Sequence, residues 1–230
     1  MQRIDAHCHF WDPARGDYGW LDSGPPALDP LRRVFTPTDL ARNPRLKGIR
    51  PMLQDLAQDD WILTRPDPAA LRAVQDLGLR FDALVLTRHL PHLARFTQAW
   101  PDLPLIIDHC AKPRMDGPPQ PAWAEGMAAM SAFPHVRCKL SGLLTELPDT
   151  LRQPEAAFAA TRPVIDEVLR LFGPDRLLWG SDWPVLTLAA SHEVWEQLTD
   201  RLLEGLAPGE RAAILGGNAM KFYGLEGNTP

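Results

Sequence analysis

The residues of this chain best suited to chemistry are polar side chains that end short apolar runs. Near the N-terminus, His7 and His9 lie in the run Ile4-Asp5-Ala6-His7-Cys8-His9-Phe10. Because side chains alternate across a strand, both imidazoles share one face and the apolar residues fill the other. Two adjacent imidazoles could hold a divalent metal, could orient a substrate without one, or could be hydrogen-bonded loop histidines.

The same pattern, an apolar run that ends in a polar group, recurs along the chain. Taken singly, a strand-end aspartate is typical of a helix cap and an arginine of a solvated surface charge. Taken together, they favour an active site, because parallel α/β folds place their sites where the carboxyl ends of the strands meet. The recurring polar residues are Arg50, His109, Lys139, Ser141 and Asp182.

The elements that must position these residues alternate between strands and helices. Strands separated by helices predict parallel pairing and a sheet covered by helices. The predicted strands are 3–9, 46–51, 81–86, 103–109, 135–141 and 176–181. The predicted helices are 68–77, 91–99, 121–132, 155–172, 208–215 and 218–223. The proline-rich segment 113–121 predicts a loop that is either a lid over a site or plain surface.

Composition limits the classes of protein to consider. With 230 residues, 45% of them hydrophobic, the chain can bury one sizeable core, so we expect a single domain over residues 1–230. A net charge of −5 without long basic runs argues against a nucleic-acid partner. No stretch predicts a membrane span or a signal peptide, so we expect a cytoplasmic protein. Three cysteines, Cys8, Cys110 and Cys138, predict reduced core thiols.

Six motifs carry a resemblance to a known family. The segments IDAHCHFWD, KGIRPM, IIDHCAKP, VRCKLSGL, LLWGSDWPV and GGNAMKFYGL resemble, in order, those of the amidohydrolase superfamily, and within it the amidohydrolase-2 group of sugar-lactone and related lactone hydrolases. The resemblance implies an α/β fold, a TIM-barrel-like metal-dependent-hydrolase barrel with its site at the C-terminal mouth. It also implies that His7 and His9 match the first-strand pair, His109 the sixth-strand histidine and Asp182 the eighth-strand aspartate.

The chain is short for such a barrel. A complete eight-strand barrel takes about 250 residues, and segment 36–45 joins what resembles the first helix directly to what resembles the fourth strand. We therefore expect about six parallel strands and an internal deletion near residues 41–45. Three explanations stay open: a shortened barrel that folds, a protomer completed by homo-oligomerisation, or an internal truncation.

The resemblance implies hydrolysis of a small cyclic ester. Asp182 would act as general base for water, and His109 would help to meet the charge on the lactone oxygen. His7, His9, His109 and Asp182 could bind one divalent cation, zinc being the best fit, or the site could work without a metal. Two alternatives are a metal-dependent decarboxylase of the same superfamily and a catalytically inactive truncated scaffold.

Substrate recognition is expected from cationic, hydroxyl and aromatic groups beyond the strand ends. Such groups suit a hydroxylated or a carboxylated sugar ring. The expected substrate-binding residues are Arg50, Lys139, Ser141, Trp11, Trp20 and Trp183. The expected partner is thus a small molecule of carbohydrate metabolism.

Overall fold

Five short parallel strands form the centre of the structure, a computed structural model that describes residues 46–225. They lie side by side in chain order, so each connection leads to the neighbouring strand. The strands are β1 (Gly48–Ile49), β2 (Arg80–Ala83), β3 (Leu105–Ile107), β4 (Arg137–Leu140) and β5 (Leu177–Trp179). Residues 48–225 belong to one compact unit, to which the following description applies.

Helices separate most of these strands, as parallel pairing requires. Four of the longer helices have a proline as their first or second residue, where its fixed backbone angle and missing N–H suit the first helical turn. The helices are α1 (Trp61–Thr64), α2 (Pro68–Asp76), α3 (Leu90–Ala99), α4 (Pro121–Ser131), α5 (Leu143–Glu146), α6 (Pro154–Phe172), α7 (His192–Leu202), α8 (Pro208–Ala212) and α9 (Asn218–Tyr223).

Helix α7 was not predicted, although its sequence carries a clear start signal. The Ser191 hydroxyl accepts a hydrogen bond from the backbone N–H of Val194, a typical N-cap. Trp195, Leu198 and Leu202 follow at helical spacing and are buried. The N-cap serine and this apolar spacing are the signals from which the helix could have been predicted.

The two faces of the sheet differ in chemistry. Phe81 and Cys138 are buried on the face that meets the helices, where the Phe81 ring lies 5.3 Å from that of Phe96 in α3. Asp82 and Lys139, the next residues along β2 and β4, point to the opposite face. We call this opposite face the inner face of the sheet.

Helix α9 covers the inner face. Phe222 packs against Ile106 of β3 and Leu178 of β5. The Tyr223 hydroxyl donates to Asp82, with oxygen–oxygen distances of 2.8 and 3.0 Å to the two carboxylate atoms. The end of the described chain therefore returns to the centre of the sheet and contacts it through both apolar and polar groups.

Most predicted elements that fall within residues 46–225 are confirmed. The predicted strand 3–9 and the predicted deletion near 41–45 lie outside the described residues. Cys110 and Cys138 are buried free thiols, as expected. Between residues 46 and 225, no helix is long and apolar enough to cross a membrane.

Protonation of His89 is expected to destabilise this fold. The His89 ring is 3% exposed, and its Nδ1 accepts a hydrogen bond from the backbone N–H of Leu86 at 3.0 Å. Burial, helped by the Arg88 charge, lowers its pKa below the usual 6.5. The folded protein thus binds fewer protons than the unfolded chain, so stability falls as the pH drops below about 6.5.

Urea unfolding at pH 7 and pH 5 tests this point. We expect His89→Gln to lose less unfolding free energy between these pH values than the wild type. His192→Gln, at a half-exposed histidine of α7, should lose as much as the wild type. Equal losses in all three proteins would contradict the assigned role of His89.

Candidate active site

The candidate site lies where β3, β4 and β5 end. His109 follows β3, Ser141 follows β4, and Asp182 lies three residues beyond β5. The Nδ1 atom of His109 is 2.8 Å from the Ser141 hydroxyl, and its Nε2 atom is 3.6 Å from Oδ1 of Asp182. Three residues singled out from the sequence are thus brought together by neighbouring strands.

The imidazole of His109 is held neutral by its surroundings. Burial is the main cause that lowers its pKa, although the carboxylates of Asp108 and Asp182 act in the opposite direction. If Nδ1–H donates to Ser141, the Nε2 lone pair faces the Asp182 carboxylate. Two acceptors at this distance repel each other unless a proton or a cation lies between them. The pair is therefore suited to bind a cation or to share a proton.

The backbone that carries His109 is strained. His109, Cys110, Ala111 and Lys112 all have positive φ, between 46° and 56°, and Asp182 has φ of 60°. A left-handed conformation costs an L-residue about 1–2 kcal/mol. Such strain persists only where the surrounding structure enforces it, and it clusters at functional sites.

Two buried tryptophans hold the backbone on either side of the site. The Trp123 indole N–H of α4 donates to the Cys110 carbonyl at 2.7 Å, inside the left-handed turn. The Trp195 indole N–H of α7 donates to the Gly180 carbonyl at 2.9 Å, two residues before Asp182. These hydrogen bonds connect the strained turns to helices in the core and offset part of the strain.

A buried ion cluster lies beneath the site on the inner face. The Lys139 ammonium contacts the Asp82 carboxylate and lies 2.8 Å from Oδ1 of Asp108. The nearby carboxylates of Asp108 and Asp82 outweigh burial and raise the pKa of Lys139, while burial raises the pKa values of Asp82 and Tyr223. Because Asp108 precedes His109, this cluster fixes the chain at the point where the site begins.

Two members of this cluster, Asp82 and Tyr223, were not predicted from the sequence. Asp82 alternates with the buried Phe81 and Ala83, and this period-two pattern could have indicated an inward-facing carboxylate. Tyr223 lies in helix α9, 141 residues after Asp82 in the chain, and no local pattern indicates the hydrogen bond between them. The expected substrate-binding role of Lys139 stays a prediction, and the structure shows its ammonium against two carboxylates.

The other candidates are spread more widely. Arg50 follows β1 and is exposed. Trp183, next to Asp182, has 67% of its surface exposed. His7, His9, Trp11 and Trp20 lie outside the described residues, so their roles stay predictions.

A cavity of about 580 Å³ is lined by Lys112, the last residue of the left-handed turn that begins at His109. Its described walls come from the segments after β2, β3 and β4, and they include residues 113–116 and Gln120 of the proline-rich loop. A volume of this size suits a small-molecule ligand. Part of the proline-rich loop thus lines a cavity, and its role as a lid stays a prediction.

A metal would find two donor atoms in the described part of the site. The separation of 3.6 Å between His109 Nε2 and Asp182 Oδ1 exceeds a hydrogen bond and is close to the roughly 3.4 Å between two ligands of a tetrahedral zinc ion. Among residues 46–225, no group of three or more potential ligands is assembled. The pair fits part of a metal site, and further ligands would have to come from outside this range.

Gly142 leaves room for the His109 ring because it has no side chain, so replacing Gly142 should destabilise the protein. A Cβ atom here would lie 2.6 Å from Cγ and Nδ1 of His109, and the backbone φ is +62°. Gly142→Ala should therefore lose stability through both strain and overlap. Gly78→Ala is the matched control, since Gly78 has φ of +64° with no atom within 4 Å of the added carbon.

Denaturant unfolding separates the two effects. We expect Gly78→Ala to lose about 1 kcal/mol from strain alone and Gly142→Ala to lose about 1–3 kcal/mol more from overlap. A crystal structure of Gly142→Ala should show the imidazole displaced from Asp182. Equal losses in the two variants, with an unmoved ring, would refute the packing role of Gly142.

Comparison with known proteins places this geometry in a family. Residues 38–225 match the model of the amidohydrolase family. An L-fucono-1,5-lactonase of Burkholderia ambifaria is 37% identical, with 97% of this chain and 96% of that protein aligned. That alignment extends over 289 positions against 230 residues here, so the relative has residues without a counterpart in this chain. The internal deletion near residues 41–45 stays a prediction.

Two solved structures show the same fold. An amidohydrolase of Burkholderia multivorans with bound zinc superposes with a TM-score of 0.74 at 26% identity, covering 94% of this chain and 96% of that one. A 2-pyrone-4,6-dicarboxylic acid hydrolase structure from Pseudomonas putida has a TM-score of 0.68 at 26% identity, covering 82% of this chain and 67% of that one. The parallel sheet with polar residues at its carboxyl edge is thus a TIM-barrel-like architecture, and the chain belongs to the amidohydrolase family.

Proposed function

We propose that this protein is a lactonase-type hydrolase that opens a sugar lactone. The observation that carries the proposal is the convergence of His109, Ser141 and Asp182 at the carboxyl ends of three neighbouring strands. The relative named L-fucono-1,5-lactonase, which aligns with nearly the whole chain, supports a sugar lactone as substrate. The same evidence favours hydrolysis over the decarboxylase and inactive-scaffold alternatives.

Asp182 acts as the general base in this proposal. Its carboxylate takes a proton from water as the water oxygen attacks the lactone carbonyl carbon. When the tetrahedral intermediate collapses, the bond between that carbon and the ring oxygen breaks. The proton then passes from Asp182 to the leaving oxygen, so the products are a hydroxy acid and a regenerated carboxylate.

His109 and Ser141 arrange the reacting groups. The Ser141 hydroxyl binds Nδ1 and so fixes the plane of the imidazole, which directs Nε2 toward Asp182. The neutral state of the ring preserves Nε2 as a ligand or hydrogen-bonding atom at neutral pH. Our proposed substrate-binding residues remain Arg50, Lys139, Ser141, Trp11, Trp20 and Trp183.

We include one divalent cation, zinc, in the proposal. His109 and Asp182 supply two fitting donors, and His7 and His9 are the proposed additional ligands from the sequence. A bound cation would polarise the lactone carbonyl and lower the pKa of an attacking water. The zinc found in the Burkholderia multivorans amidohydrolase supports this choice.

The cellular setting belongs to the proposal as well. We propose a cytoplasmic location and a role in carbohydrate metabolism, and homo-oligomerisation stays one of the three explanations open for the short chain. The proposed partner is a small-molecule substrate, without nucleic acid or membrane.

Asp182→Asn tests the catalytic assignment. A pH-indicator assay of the purified protein against a panel of aldonolactones should show turnover by the wild type. The variant should lose at least about 100-fold in kcat, because the amide cannot accept the proton. Asp166→Asn, which alters a half-exposed carboxylate of α6 paired with Arg162, is the matched control and should retain full activity.

Metal content, measured by elemental mass spectrometry on the same preparations, provides a separate readout. We expect about one divalent ion per wild-type chain, less in Asp182→Asn, and lost turnover after chelation. Turnover by Asp182→Asn above a tenth of the wild-type rate would overturn the role of Asp182. Absence of turnover on every lactone would overturn the proposed function.

A further inference from the structure

The walls of the cavity lined by Lys112 contain cations and carboxylates in nearly equal number. We use the name mouth cavity for the 580 Å³ space described above. The charged residues among its described walls are Arg88, Lys112, Arg114, Asp116 and Glu146. Their arrangement bears on a question left open by the sequence, namely whether the substrate is neutral or carboxylated.

Each of the three cations in the described walls is already paired. Lys112 Nζ lies 3.0 Å from a Glu146 carboxylate oxygen, and Arg114 contacts Asp116. Arg88 binds Asp59 at 2.7 Å and donates to the backbone carbonyl of Gln54 at 3.0 Å. The positive charges of the described walls are thus compensated before any substrate binds.

The Lys112–Glu146 pair is linked to the candidate site through the backbone, since the Lys112 N–H donates to the His109 carbonyl at 2.8 Å. Lys112 is the last residue of the left-handed turn that begins at His109, and its charge helps to lower the pKa of His109. Glu146 ends helix α5, which begins one residue after Gly142, the glycine against the His109 ring. Both side chains are less than one-third exposed, so their charges are only partly screened.

A compensated wall favours hydroxyl groups over carboxylates. A hydroxyl can donate to Glu146 and accept from Lys112 at the same time, which leaves the ion pair intact. A substrate carboxylate would have to compete with Glu146 for Lys112, and it would be repelled by Glu146 itself. A carboxylate-binding site needs cations without such partners.

We propose that the Lys112–Glu146 pair makes this enzyme selective for uncharged, polyhydroxylated lactones over lactones that carry a carboxylate. The inference rests on the proposed function and adds the residues that choose the substrate class. The Glu146 carboxylate repels a carboxylated substrate. For a sugar hydroxyl, Lys112 is the hydrogen-bond donor and Glu146 is the acceptor.

The test compares kcat/KM for a neutral aldonolactone and for an aldaric acid monolactone, which carries one free carboxylate. The wild type should prefer the neutral lactone. Glu146→Gln keeps the shape but leaves Lys112 uncompensated, so we expect the ratio of carboxylated to neutral activity to rise roughly tenfold. Glu155→Gln, at an exposed carboxylate paired with Arg201 between α6 and α7, is the matched control and should leave the ratio unchanged.

A double-substitution cycle keeps the test informative if one variant is unstable. Lys112→Gln should lower the ratio, because Glu146 is then uncompensated, and Lys112→Gln with Glu146→Gln should return it toward the wild-type value. An unchanged ratio in Glu146→Gln, or a wild type that prefers the carboxylated lactone, would refute this inference while lactonase activity stands. Failure of the wild type on both lactones and on the wider panel would refute the proposed function, and the inference with it.

Discussion

The ammonium group of Lys139, buried between the carboxylates of Asp82 and Asp108, is the interaction on which the rest of the described structure depends. It connects three neighbouring strands on the inner face of the sheet, and Tyr223 adds a hydrogen bond from helix α9. Removing charges from water is costly, so the cluster is stable only while all of its members are present. Helix α9 is therefore held, through Tyr223, by the same ion cluster that positions the chain beneath the site.

The active site is built on this base from strained backbone. The chain turns left-handed at His109 directly after Asp108, and again at Asp182 beyond β5. Hydrogen bonds from Trp123 and Trp195 hold the turns, and a missing Cβ at Gly142 leaves room for the imidazole. The result is a neutral histidine and a carboxylate at a distance that suits a shared proton or cation. Strain, burial and electrostatics together produce the geometry that hydrolysis needs.

The sequence predicted those features that depend on local patterns. Alternation in β4 placed Lys139 and Ser141 on one face, and the ends of apolar runs identified His109 and Asp182. The left-handed turn could not be predicted, because residues 109–112 contain neither glycine nor asparagine to signal it. The partners of Lys139 were also hidden, since Asp82 lies 57 residues away in the chain. Contacts between distant elements depend on packing, which short-range periodicity does not encode.

The dependence of the fold on this ion cluster is tested most directly by unfolding free energies. The variants to measure are Lys139→Met, Asp82→Asn and the combined variant. Lys139→Met alone should lose about 3–5 kcal/mol, because two buried carboxylates are left without their cation. Adding Asp82→Asn should recover part of that loss, so the double variant should be more stable than the sum of the single effects implies. Strictly additive losses, or a loss below about 1 kcal/mol in Lys139→Met, would show that the fold does not depend on this ion cluster.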